Sequence, residues 1–216
     1  MVVRTATPFS QENFDFSGKG HLRAQTDIYP LLFKTDREHL EFTALPQEQA
    51  RTLDGDMGID RIVEVKVHNL LAPLTFLVQE RFRRPNFYGM PDITITEWNN
   101  NSCSPSELYK IKAGLFLYAG YYERTDRFEE AIVVSVCPLL FHLARGSLDF
   151  TRHLNSKNQS FIAIKVPALE KLNLIHLHKK WETPRQVNPK VALEEGMKKA
   201  KEKTSYALPP EWEDKE

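Results

Sequence analysis

Apolar and polar residues alternate in three stretches near the centre of the chain, the mark of strands with one buried face. From about Ile59 to Val67, Val63, Val65 and Val67 share one face; Asp60, Ile62, Glu64 and Lys66 share the other. HNLLAP (His68 to Pro73) turns the chain. In the next stretch Leu74, Phe76 and Val78 lie on one side, and Thr75, Gln79, Arg81 and Arg83 on the other. RRPNFYGMP reads as a loop, and DITITEW (Asp92 to Trp98) as a third strand. A polar turn follows, in which Ser104 or Ser106 suits a helix N-cap and Glu107 a first turn. A helix is predicted from Ser106 to Arg124, with Ile111, Leu115, Tyr118 and Tyr122 at helical spacing. AIVVSV reads as a buried strand, Phe141 to Leu148 as a short helix, and FIAIKV and LNLIHLH as two later strands.

The patterning on either side is weaker. Residues 1–20 are polar and contain glycine, which predicts an extended arm. Asp27 to Phe33 reads as a short helix or strand broken by Pro30, Thr35 to Ala50 as an early helix, and TLDGDMG as a turn. Pro189 to Lys203 reads as a charged helix before a polar tail. The predicted organisation is an N-terminal arm over 1–34, an α/β domain over 35–185, and a C-terminal helix and tail over 186–216.

Composition narrows the class. The chain has 216 residues and is 41% hydrophobic, enough for one packed domain. No apolar run approaches the length of a membrane span, and the N-terminus has no secretory pattern, so the expected compartment is cytoplasmic. Cys103 and Cys137 lack metal-ligand spacing and read as reduced thiols. Net charge is zero, but the segment from His142 to Arg185 carries eight Lys or Arg against three acids, a local +5. A local basic surface steers a phosphate backbone even on a neutral molecule, and a solvated face is the plain alternative.

The candidate chemistry lies on the hairpin. An antiparallel hairpin brings the start of its first strand beside the end of its second, so Asp60 meets Gln79, Glu80 and Arg81. Matching the apolar faces puts Asp60 on the side of Gln79 and Arg81 and turns Glu80 away; a one-residue bulge would instead pair Asp60 with Glu80.

With a preceding helix, the order strand, strand, strand, helix, strand resembles the PD-(D/E)XK nuclease superfamily, over roughly Thr35 to Val136. Asp60 stands for the first acid and VQERF for the second motif. The resemblance implies a restriction-endonuclease-like α/β core, a mixed sheet flanked by helices, that holds Mg²⁺ or Mn²⁺ and cuts DNA. Its catalytic set here would be Asp60, Gln79, Glu80, Arg81 and Lys110, and its metal ligands Asp60, Glu80 and Glu97. The second motif departs from the family, whose acid and Lys stand two residues apart; here the pair is Gln79 and Arg81. Gln offers a metal an uncharged carbonyl oxygen, and Arg stabilises an oxyanion but cannot act as a base. Glu64 or Glu107 could replace the missing acid, and Lys110 or Lys112 the displaced cation. The departure also admits a catalytically silent nuclease-like domain that binds nucleic acid or a protein in a phage or mobile-element system.

Nucleic acid, DNA in the first instance, would be contacted by Arg83, Arg84, Arg152, Lys179 and Lys180. A homodimer would allow two strands to be cut. His176 and His178 share a strand face, a spacing that binds metals but is more often a pair of satisfied edge histidines.

Overall fold

The computed structural model describes residues 11–43, 47–67, 70–84 and 92–181. The chain divides into Met1–Trp181 and Glu182–Glu216. The predicted helix at Pro189 to Lys203, most of the RRPNFYGMP loop, and His68 and Asn69 of the hairpin turn lie outside the described residues.

Two sheets organise the first unit. The larger has six strands: β1 (Leu40–Phe42), β2 (Arg61–Val65), β3 (Leu74–Arg83), β6 (Leu115–Tyr122), β7 (Arg127–Ser135) and β10 (Ile175–Lys180), adjacent in that order. The smaller is antiparallel and ordered β5 (Ser104–Pro105), β4 (Asp92–Asn99), β9 (Gln159–Lys165), β8 (Thr151–Leu154). The chain is thus mixed α/β, with helices flanking the sheets.

The hairpin forms in the register that its apolar faces predict. Val63 pairs with Phe76 and Val65 with Leu74, with no bulge. One further step along each strand sets Asp60 beside the second half of β3, and the Asp60 N–H donates to the Val78 carbonyl at 2.9 Å.

The largest departure from the pattern follows β4. The helix predicted over Ser106 to Arg124 is one turn, α4 (Glu107–Lys110), followed by strand β6. LFLYAGYY is a central strand with seven of its eight residues buried. A strand covered on both faces reads as a continuous apolar run, within which helical spacing arises by chance. Strand β6 lies parallel to β3, with Val78 opposite Leu115 and Arg81 opposite Tyr118. A parallel pair needs a crossover. Here the crossover carries β4, β5 and α4, so the predicted third strand belongs to the second sheet.

The N-terminal segment is also corrected. Helix α1 (Gln11–Asp27) begins inside the stretch predicted as an extended arm. Its buried residues are Phe16, Gly20 and Ala24, a helical stripe with only one large side chain. Such a stripe is nearly silent to hydropathy, yet it lets the helix approach the sheet closely: a Cβ at Gly20 would stand 2.8 Å from the Phe82 ring. Helix α2 (Tyr29–Phe33) follows, with Pro30 in its first turn, where proline is tolerated. The early helix is displaced toward the hairpin. Arg37–His39 forms a 3₁₀ turn, β1 comes next, and α3 (Gln47–Met57) takes in most of the supposed TLDGDMG turn. Helices α5 (Val136–Ala144) and α6 (Val166–Lys171) complete the element order.

Two buried clusters result, one on each face of the large sheet. Phe16, Ile28, Tyr29, Val63, Val78, Leu117 and Val133 pack together with α1 and α2. Ile93, Ile95, Phe116, Tyr118, Ile132, Ile162 and Ile164 fill the space toward the second sheet. Both cysteines are free.

Candidate functional site

A cleft of about 350 Å³ opens beside the hairpin, lined by Asp54, Gly58, Asp60, Gln79, Glu80, Arg81, Thr96, Ser106, Glu107 and Lys110. Three local features build it. The end of α3 delivers Asp54. The tight turn into β2 delivers Asp60, and β3 projects Gln79 and Arg81 from the same face. Helix α4, inside the crossover, closes the far wall with Glu107 and Lys110.

The turn depends on Gly58. Its φ of +55° lies in the left-handed region, and its N–H donates to the Asp54 carbonyl at 3.1 Å, an αL helix end. A Cβ at this position would meet the Ile111 Cα at 3.0 Å and Gln79 Oε1 at 3.3 Å. Glycine is therefore demanded both by the backbone and by the close approach.

Asp60 is the electrostatic centre. Its Oδ2 accepts the Glu80 backbone N–H at 2.7 Å. Burial pushes its carboxyl well above the usual aspartate range, and the neighbouring Asp54 and Glu107 charges add to the effect. Asp54 and Asp60 influence each other directly: the contact raises the Asp60 carboxyl and lowers that of Asp54. Asp54 stands at the open rim; lost hydration raises its carboxyl and Glu107 adds to the rise, while Lys110 opposes it.

Gln79 is 7% exposed, and its buried Oε1 has no hydrogen-bond partner. A buried carbonyl oxygen without a donor is costly, and such an atom in a functional cleft calls for a ligand. Arg81 is held by Glu107, whose Oε2 takes a short contact from Nη1. The same oxygen accepts the Thr96 N–H at 3.2 Å and hydroxyl at 3.0 Å. Glu107 Oε2, fixed by Thr96, thus aims Arg81.

The structure separates other residues that the pattern grouped with Asp60. Glu80 touches the cleft through its backbone, while its carboxylate lies on the opposite face of β3. There it accepts the Tyr29 hydroxyl, abuts His21 Nδ1 and stands 3.7 Å from Arg61 Nε. Burial, and then the Arg61 charge, lower the His21 pKa to about 3, so the ring is neutral. Glu97 is clamped by Arg152, at 3.1 and 3.0 Å from its two oxygens, and does not line the cleft.

The basic residues come from several elements. Arg83 lies over the Tyr118 ring, Arg84 pairs with Glu12, and Arg152 pairs with Glu97. Lys179 and Lys180 lie on β10, where Lys180 is 3.3 Å from Glu130. His178 meets Glu130 and Glu170, and His176 meets Ser135, the satisfied-histidine arrangement.

Asp54 escaped the sequence reading because its segment looked like a turn. Its signal is the two acids six residues apart around a glycine. Thr96 carries no such signal, because only the tertiary fold brings it to Glu107. Among the described residues, the group of three acids or histidines close enough to share one ion is Asp36, Glu38 and His39, an exposed trio that lines no part of the cleft, where Asp54 and Asp60 are a pair. No family model matches the chain, and no curated protein or solved structure matches it.

Proposed function

We propose that the chain is a divalent-metal-dependent phosphodiester hydrolase acting on DNA, of PD-(D/E)XK type, with its site in the Asp60 cleft. The observation that carries this reading is the buried, partnerless Gln79 Oε1 in a cleft it shares with Asp54 and Asp60. That donor set fits a hard cation: two carboxylates and a neutral carbonyl oxygen. Asp54, Asp60 and Gln79 would hold Mg²⁺ or Mn²⁺, which when bound supplies an activated water and neutralises phosphate charge. Glu80 and Glu97, committed elsewhere, have no part in that set.

The chain's own groups do the rest. Asp60 would hold the cation as a carboxylate, oriented by the Glu80 N–H. Arg81 presents its remaining N–H groups to a phosphate oxygen and stabilises charge as it develops there, while Glu107 and Thr96 fix its direction. Lys110 supplies a second positive charge next to Asp54. Neither cation serves as the base in this scheme.

Calorimetry with Mn²⁺ on wild type and Asp60→Asn, paired with cleavage assays on duplex, nicked, branched and single-stranded DNA, tests the proposal. Wild type is expected to bind Mn²⁺ and cut at least one substrate, and Asp60→Asn to lose both activities. Equal Mn²⁺ binding by the two proteins would remove the site. The Gln79 and Arg81 departure favours a second reading, a silent nuclease-like domain. Metal binding without cleavage of any substrate would select it.

A further inference from the structure

We infer that Glu80, His21, Tyr29 and Arg61 form a positioning network that holds the Asp60 carboxylate in place from behind the sheet. The inference rests on the metal-site reading above and assigns residues outside the cleft to it. Strand alternation turns Gln79 and Arg81 toward the cleft and Glu80 away from it. The Glu80 side chain is only 1% exposed, on a face it shares with Val78 and Phe82. An apolar residue would fill that face without giving up hydration, whereas a buried carboxylate must be matched by donors. Tyr29 from α2 donates to one carboxylate oxygen, and His21 from α1 and Arg61 from β2 face the other without a hydrogen bond to it.

These contacts hold both ends of one hydrogen bond. The Glu80 N–H donates to Asp60 Oδ2 at 2.7 Å. On the donor side, Glu80 is anchored by its own side chain. On the acceptor side, Asp60 adjoins Arg61, whose guanidinium reaches the same Glu80 carboxylate. The network thus ties residue 60 to residue 80 through the Arg61 and Glu80 side chains on one face and through the Glu80 amide and Asp60 carboxylate on the other. In a metal site such outer partners orient the ligand, and losing one costs about 10–100-fold in metal affinity.

The test uses the full chain with Glu80→Gln and Tyr29→Phe. Two quantities are read: Mn²⁺ affinity from the electron paramagnetic resonance signal of free Mn²⁺, and hydrogen exchange of the residue 80 amide in metal-free protein. Glu80→Gln is expected to weaken Mn²⁺ binding by about 10-fold or more, and Tyr29→Phe by a smaller factor in the same direction. Exchange at residue 80 should quicken in both. A purely structural role would lower the melting temperature but leave the affinity of the folded protein, and exchange at this amide relative to its strand neighbours, unchanged; that result overturns the inference. If Glu80→Gln does not fold, Tyr29→Phe, which removes a single hydroxyl, decides. If wild type binds no Mn²⁺, the metal-site reading fails by itself. The exchange arm then rules on the network: faster exchange supports it, and unchanged exchange overturns it.

Discussion

Asp60 carries two opposing demands: a dry, crowded setting that disfavours its charge, and a hydrogen bond from Glu80 that orients it. Its folded-state pKa is raised, so its contribution to stability is present below the ordinary aspartate value of 3.8 and is lost as pH rises through the folded value. Thermal melts of metal-free protein from about pH 4 to pH 8 should therefore show wild type losing stability relative to Asp60→Asn as pH rises. The asparagine keeps an acceptor for the Glu80 N–H and gives Asp54 a donor. Parallel curves would show that Asp60 ionises without cost. Gly58 makes the second prediction at this scale. Gly58→Ala forces an L side chain to φ +55° and crowds Ile111. Chemical denaturation should register a loss of about 1–2 kcal/mol, the cost of the left-handed conformation.

Among the elements, α1 decides whether the β3 network has its histidine. Its two glycines make opposite predictions. A Cβ at Gly18 meets nothing within 4 Å, so Gly18→Ala should stabilise by about 1 kcal/mol through helix propensity. A Cβ at Gly20 collides with Phe82 at 2.8 Å, so Gly20→Val should destabilise by about 1–3 kcal/mol through overpacking. Urea denaturation of the two variants checks both signs. If Gly20→Val proved as stable as wild type, α1 would not pack against β3. The crossover after β3 shows the same dependence on context. Its α4 is only one turn, yet Glu107 and Lys110 enter the cleft because β6 must return parallel to β3.

Charge is the property that belongs to the whole molecule. The net charge is zero, and Arg84, Arg152 and Lys180 each have an acidic partner. The cleft itself presents Arg81 and Lys110. If DNA binds there as proposed, about two phosphates are neutralised, and log K should fall with log salt at a slope of about −2. Titrations of labelled duplex over a salt series measure this. A slope steeper than about −5 would mean that the basic segment from Arg152 to Lys180 also engages the backbone. Among the described residues no helix is long and apolar enough to cross a membrane.

The sequence by itself marked the hairpin and the register that matches its apolar faces, and the structure excluded the bulge that would have paired Asp60 with Glu80. Alternation with a period of two is local, and a one-residue slip would have turned every valine of β2 outward. The sequence also marked β7, β9 and β10, where short runs with apolar residues are bounded by helical or turn segments. Tertiary structure alone decided three things. It made LFLYAGYY a strand, because a run buried on both faces has no period of its own. It folded α1 onto the sheet through Gly20 and Ala24, whose small size is invisible to hydropathy. It chose which acids share the cleft, bringing Asp54 and Glu107 in while committing Glu80 and Glu97 elsewhere. A side chain's partners depend on which strands become neighbours across long sequence separations, and local patterning carries no record of that.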